Sequence, residues 1–383
     1  MSVTAAGGFR AAGVAAGLKT TGLPDVALVV NDGPSYAAAA VFTGNRVQAA
    51  PVVWSRQVVT DGRVDAVVLN SGGANACTGA AGFQDTHRSA EEVAGLVGCS
   101  AADVAVASTG LIGLRLPMDR LLGGVRQASG LLSADGGGDA ALAIMTTDSV
   151  PKKSVVHADG YTIGGMAKGA GMLAPALATM LVVITTDADL GPAELDKALR
   201  SSTGSSFDRI DSDGCMSTND MVLLMASGAS GVRPGLDTFT EALRAVCADL
   251  ARQLIADAEG ASKEIAITVQ GAVSEAEAVD VARTVSRSNL LKCALHGEDA
   301  NWGRVLSAVG TTSAVFEPDQ LDVAINGVWV CRGGAVGEDR SLVDMTGREI
   351  AIVVDLHAGP AQATVWTNDL TAEYVHENSA YSS

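Results

Sequence analysis

Residues 180–184 read Met-Leu-Val-Val-Ile, a continuous apolar run stopped by Thr185, Thr186 and Asp187. A short run with no polar alternation marks a buried strand, so the chain must build a core around it. In front of the run stand Thr179, small Ala178, Pro175 and a lysine set among glycines in "MAKGAG" (166–171). Two readings of Thr179 stay open on these residues. It is a β-former at a strand start, or Ala178–Thr179 is a bond the chain cuts in itself, leaving Thr179 as a new N-terminus and a nucleophile.

The chain has 383 residues, enough for one large core or two domains. Only 4% of residues are aromatic while 48% are hydrophobic, so the core must be built from Ala, Val, Leu and Ile. Strands are predicted at 26–30, 65–71, within 103–113, at 219–228 and at 264–271. Helices are predicted at 85–98 (closed by Gly98), 118–132, 139–148, 193–202, 236–260 and 275–288. Residues 43–59 mix a loop with an element of either type. From about 320 the tail is strand-rich, in "LDVAINGVWVC", "REIAIVVDL" and "AQATVWTND". Strands and helices do not alternate evenly, which disfavours a plain doubly wound parallel sheet. The expected class is α/β. A change of texture near residue 265 predicts a main unit, 1–265, and a smaller C-terminal α/β subdomain, 266–383.

Several function classes lose support at once. A formal net charge of −17 with no Lys/Arg cluster repels phosphate backbones, so nucleic acid is not an expected partner. No stretch approaches the ~18 apolar residues of a membrane span, and no basic, apolar leader opens the chain; the cytoplasm is expected. The six cysteines (77, 99, 215, 247, 293, 331) form no CxxC pair and read as buried free thiols. His87, His157, His296, His357 and His376 lie far apart, and GxGxxG after a strand, GxxxxGK[ST], GxSxG and HExxH are missing. Neither a metal nor a bound organic cofactor is expected.

That leaves the threonine. A hydroxyl is a weak nucleophile unless a base takes its proton, and a free α-amino group on the same residue is one known solution. With a pKa of about 7.7–8.0 that amine is roughly 10–15% neutral at pH 7, whereas an ordinary lysine is under about 0.1% neutral. To free it, Thr179 Oγ must attack the Ala178 carbonyl and form an ester that water cleaves.

Nine stretches carry a resemblance that spans nearly the whole chain: "GFRAAGVAAGLK" (8–19), "NSGGANACTG" (70–79), "STGLIG" (108–113), "MTTD" (145–148), "GGMAKGAGMLAPALATML" (164–181), "STNDMVLLMASG" (217–228), "DAEGASK" (257–263), "HGEDANWGR" (296–304) and "NDLTAEYVHENSAYSS" (368–383). In this order they resemble the ornithine acetyltransferases, the glutamate N-acetyltransferases of cyclic arginine biosynthesis. The resemblance implies a fold of stacked β-sheets flanked by helices, shared in outline with self-processing aminopeptidases. It implies cleavage at Ala178–Thr179 into 1–178 and 179–383, which stay together, with two such pairs forming a heterotetramer.

Ping-pong transfer from N-acetylornithine to glutamate through acetyl-Thr179 is the implied reaction; members differ in whether they also accept acetyl-CoA. Thr109 and Gly110 of "STG" match the oxyanion-hole motif. Thr146 or Thr147, Lys168, Thr179, Glu259, Asn378 and Ser383 match the substrate-binding positions, with Lys168 suited to an α-carboxylate and Glu259 to ornithine's side-chain ammonium. Trp302 and Arg304 are expected to pack and pair beneath the site. The chain departs from the family at Ser383, often threonine, and at Cys215 and Met216 within "DSDGCMSTND". The alternative is a self-processing aminopeptidase on a related fold, which releases its acyl group to water.

Overall fold

The apolar run after Thr179 becomes the strand Leu181–Thr186, buried at every position. The computed structural model describes residues 2–174 and 180–380. Among the described residues the strands form three sheets. The first orders Phe9–Val14, Val26–Asn31, Ala66–Asn70 and Val104–Ser108; only its last pair is parallel. The second orders Ala37–Phe42, Met221–Ala226, Leu181–Thr186, Thr162–Lys168 and Lys152–His157, with Leu181–Thr186 and Met221–Ala226 parallel and the rest antiparallel.

Alternation is hidden in these strands because both faces are buried. Val182, Ile184, Val222 and Leu224 point into one core with the helices Pro192–Gly204 and Leu236–Ala256. Leu181, Val183, Met221 and Leu223 point into another, where they meet Ala27, Val29, Val67, Leu69, Ala105 and Ala107 of the first sheet. The outer face of the first sheet packs Leu28, Val68 and Val106 on the helices Gly79–Val97 and Met118–Gly130. The result is a helix–sheet–sheet–helix stack, the expected stacked sheets flanked by helices. Alanines crowd its central layer, which is how a chain so poor in aromatics closes a core.

The third sheet orders Ala335–Val336, Val328–Arg332, Asp322–Ile325, Glu349–Asp355, Glu264–Ala272 and Ala361–Asn368. One face is buried against the helices Glu275–Ser286, Asn289–His296 and Trp302–Val309, so its strands alternate.

Register fixes where a site can form. Leu181 pairs with Met221 on one side and with Lys168 on the other. Two strands therefore begin, and one ends, along one rim. Ser108 and Asn70 likewise end together in the first sheet.

Several expectations need correction. The helix predicted at 139–148 spans only Gly137–Ala143. It stops because the Asp148 carboxylate takes the Thr146 N–H at 2.9 Å, a local bond that competes with helix. The helix predicted from 85 begins at Gly79, and Ala50–Val58 within the unassigned 43–59 is helical. Only Cys247 and Cys331 are buried; Cys77, Cys215 and Cys293 are exposed, all of them free. Trp302 packs on the C-terminal core and Arg304 donates to the Leu290 carbonyl at 2.6 Å, so neither lies beneath the cleft described next. No described helix is long and apolar enough to cross a membrane.

Candidate active site

The strand Val104–Ser108 runs into a turn at the rim. Thr109 donates its N–H to the Asn70 carbonyl at 2.9 Å, and its own carbonyl accepts from Gly73 N at 2.9 Å. Gly110 follows with φ +127°, and a Cβ there would sit 2.8 Å from Gly73 N, so only glycine fits. Among the described residues the Gly110 N–H has no acceptor. Asn219 clamps the turn from the second sheet: its amide donates to the Ser108 carbonyl at 2.8 Å and the Ala74 carbonyl at 2.6 Å.

Lys168 ends the strand Thr162–Lys168 and is 1% exposed, an unusual place for an ionisable side chain. Its Nζ donates to Thr109 Oγ1 at 3.4 Å. Burial makes it easier to deprotonate than an ordinary lysine; Asp148, Asp220 and Glu259 oppose that, and Lys152 adds to it. Glu259 follows the helix Leu236–Ala256 and donates its N–H to the Ala170 carbonyl at 2.9 Å. A Cβ on Gly171 would land on the Glu259 carboxylate, so glycine there lets the acid lie against the chain.

The C-terminal helix Ala372–Ala380 brings Asn378 to the same place. It is anchored by Thr371 Oγ1, which donates to the Gly260 carbonyl at 2.7 Å and accepts the Tyr374 N–H at 2.9 Å.

These groups line one cleft of about 130 Å³: Thr109, Gly110, Thr146, Thr147, Lys168, Glu259 and Asn378 together. Ala74, Ile112 and Met172 add apolar wall, and Ser217, Thr218 and Asn219 close it. Both candidate threonines line the cleft. Ala178, Thr179 and Ser383 lie outside the described residues. Met180, the next residue along the chain, donates its N–H to Asp220 Oδ1 at 3.1 Å, directly after the cleft-lining Ser217–Asn219. Asp220 is fully buried, which lifts its carboxyl well above the usual range against the Met180 bond and the nearby Ser217, Thr43 and Lys168. A larger open groove of about 1030 Å³ holds none of the predicted residues. Two of its arginines are already paired, Arg209 with Glu275 at 2.6 Å and Arg287 with Asp211 at 2.7 Å. Among the described residues no group of three or more His, Cys, Asp or Glu is placed to hold a metal ion.

Motif matching assigned no role to Asn219, Asp220, Lys19, Asp148, Lys152 or Asp257. "STND" and "MTTD" were legible as stretches, but a polar side chain that bonds backbone across two sheets leaves no local pattern.

The ArgJ family model matches residues 10–383. The chain is 69% identical, over the full length of both, to the arginine biosynthesis bifunctional protein ArgJ of Streptomyces coelicolor. It is 64% identical over 382 residues to the protein of the same name from Thermobifida fusca, again covering all of each. Among solved structures it is similar to ornithine acetyltransferase of Mycobacterium tuberculosis complexed with ornithine, at 58% identity and a TM-score of 0.45, covering 47% of this chain and 96% of that one. The chain belongs to the ArgJ family.

Proposed function

We propose that the chain transfers an acetyl group from N-acetylornithine to glutamate through an ester on Thr179, within arginine biosynthesis. The observation that carries this is the convergence of seven separated segments on one cleft, bringing a glycine turn, a buried cation, an acid and hydroxyls together.

The hydrogen bonds suggest what each group does. Thr109 has spent its N–H on Asn70, so its contribution is the hydroxyl. Lys168 donates into Thr109 Oγ1, which turns the hydroxyl proton outward as a donor. The Gly110 N–H, which has no acceptor among the described residues, is the second donor. Together they suit the oxyanion of a tetrahedral intermediate.

Thr179 first frees its amine: Oγ attacks the Ala178 carbonyl, the chain shifts to an ester, and water releases fragments 1–178 and 179–383. In transfer, the Thr179 amine takes the hydroxyl proton as Oγ attacks the acetyl carbonyl. The amide C–N bond then breaks, and that proton leaves on the ornithine amine. Glutamate's amine attacks the ester by the reverse path. Lys168 holds the α-carboxylate common to both substrates, Glu259 meets ornithine's ammonium, and Thr146, Thr147, Asn378 and Ser383 complete the contacts. The unit boundary at 265/266 rests on the change of sequence texture there, and the cytoplasmic location on the sequence reading. A heterotetramer of two chain pairs and use of acetyl-CoA are carried by the resemblance, and all four are further proposals.

With both substrates present, ornithine and N-acetylglutamate should appear in equal amounts, with parallel double-reciprocal lines. Free acetate as the main product would favour a hydrolase, as in the aminopeptidase alternative.

A further inference from the structure

One buried ionic network ties together three of the segments that line the cleft. Asp148 Oδ1 accepts from Lys152 Nζ at 2.6 Å and from the Gly169 N–H at 2.7 Å, and Oδ2 accepts the Thr146 N–H at 2.9 Å. Lys152, with no exposed side-chain surface, continues to Asp257 Oδ2 at 2.6 Å. Asp257 also takes the N–H of Ser149 at 2.9 Å. One carboxylate thus joins the loop of Thr146 and Thr147 to the residue after Lys168. Lys152 ties both to the segment two residues before Glu259. Such a buried triad costs more to desolvate than apolar packing of equal volume, so stability alone does not explain it.

We infer that Asp148 is a positioning residue for the transfer reaction: it fixes Thr146 and Lys168 relative to each other and balances the charge of the buried Lys168 ammonium. This rests on the reading that Lys168 receives the substrate carboxylate. Among the described residues, the charged and titratable groups facing Lys168 are Asp148 from the loop, Lys152 from its strand, Asp220 from the turn before Met221, Glu259 after the long helix, and Lys19 from the N-terminal segment. Asp220 is pushed towards its neutral form by burial. Asp148 is different: burial would raise it, but Lys168 and Lys152 hold it at about 2. It therefore stays ionised wherever the enzyme works, and it is the leading counter-charge to Lys168.

The sign follows. Asp148→Asn removes a charge that raises the Lys168 pKa, so Lys168 loses its proton at lower pH and carboxylate affinity falls as pH rises. For N-acetylornithine, 1/KM in D148N should drop about 10- to 100-fold towards alkaline pH, a drop that begins at lower pH than in the wild type. The double variant D148N/K152Q removes one charge of each sign, so its profile should return towards the wild type. A merely structural role would make the double variant worse. Folding is checked by melting temperature and fragment formation. Any folded variant of Asp148 whose KM and pH profile overlay the wild type overturns the proposal. The arm Lys168→Met keeps the two readings apart. It should raise KM at every pH, and normal binding there would sink the carboxylate role of Lys168 itself.

Discussion

Asn219→Ala is the most telling structural perturbation outside the substrate contacts. Asn219 is 5% exposed and gives both amide hydrogens to buried carbonyls, Ala74 at 2.6 Å and Ser108 at 2.8 Å. Removing them leaves two acceptors short of a donor, at about 1–3 kcal/mol each. Asn219 also lines the cleft, so water can reach part of the gap, and a total of about 2–3 kcal/mol is reasonable. For a chain this long each kcal/mol moves the melting point by only about 1–2 °C, so the thermal shift should be ~2–6 °C. Catalysis should suffer more. Ser108 precedes the Thr109–Gly110 turn, and a donor displaced by about 1 Å can cost ~100-fold. Asn219→Asp should be worse than alanine, because a carboxylate would face two carbonyl oxygens. The assay is denaturant unfolding beside the single-turnover rate of acetyl-enzyme formation. Loss of stability with an unchanged acetylation rate would refute the claim that this amide aims the turn.

If the Thr179 amine is the base, kcat/KM should rise through an apparent pKa of roughly 7–8, and a flat profile over about pH 6–9 would exclude it. Deleting residues 378–383 should spare folding, because the Thr371–Gly260 and Tyr374–Thr371 bonds remain, while weakening transfer; unchanged kcat/KM would make the tail dispensable. Asp148, held at about 2 in the fold, contributes stability that is present above the usual aspartate pKa and lost as pH falls towards 2. Unfolding of wild type and D148N should therefore differ by a constant ~2 kcal/mol from neutrality down to about pH 4, and the gap should close below that. A gap that closes above that point would contradict the assignment.

The two central strands and the long helices could be read from the sequence because their runs are long and apolar. Phe9–Val14, Ala37–Phe42 and Thr162–Lys168 could not: "AAAAVF" and "TIGGMAK" are poor in β-branched residues, and packing between two sheets imposes their conformation. Lys168 was found by motif, yet its place on a strand and its burial were not. The charged network behind it was invisible for a physical reason. Asp148, Lys152 and Asp257 are brought together by a loop, a strand and a helix end 105 residues apart for Lys152 and Asp257. Spacing along a chain carries no trace of such a meeting.

The central claim is that Thr179 is freed by cleavage and then carries the acetyl group. Intact mass spectrometry of the purified protein, with and without N-acetylornithine and with no glutamate, tests both halves at once. The account predicts two fragments, 1–178 and 179–383, with one acetyl group added to the second fragment alone and neither cleavage nor acetylation in Thr179→Ala. A full-length wild-type chain, or acetyl on fragment 1–178 or on Lys168, would contradict it.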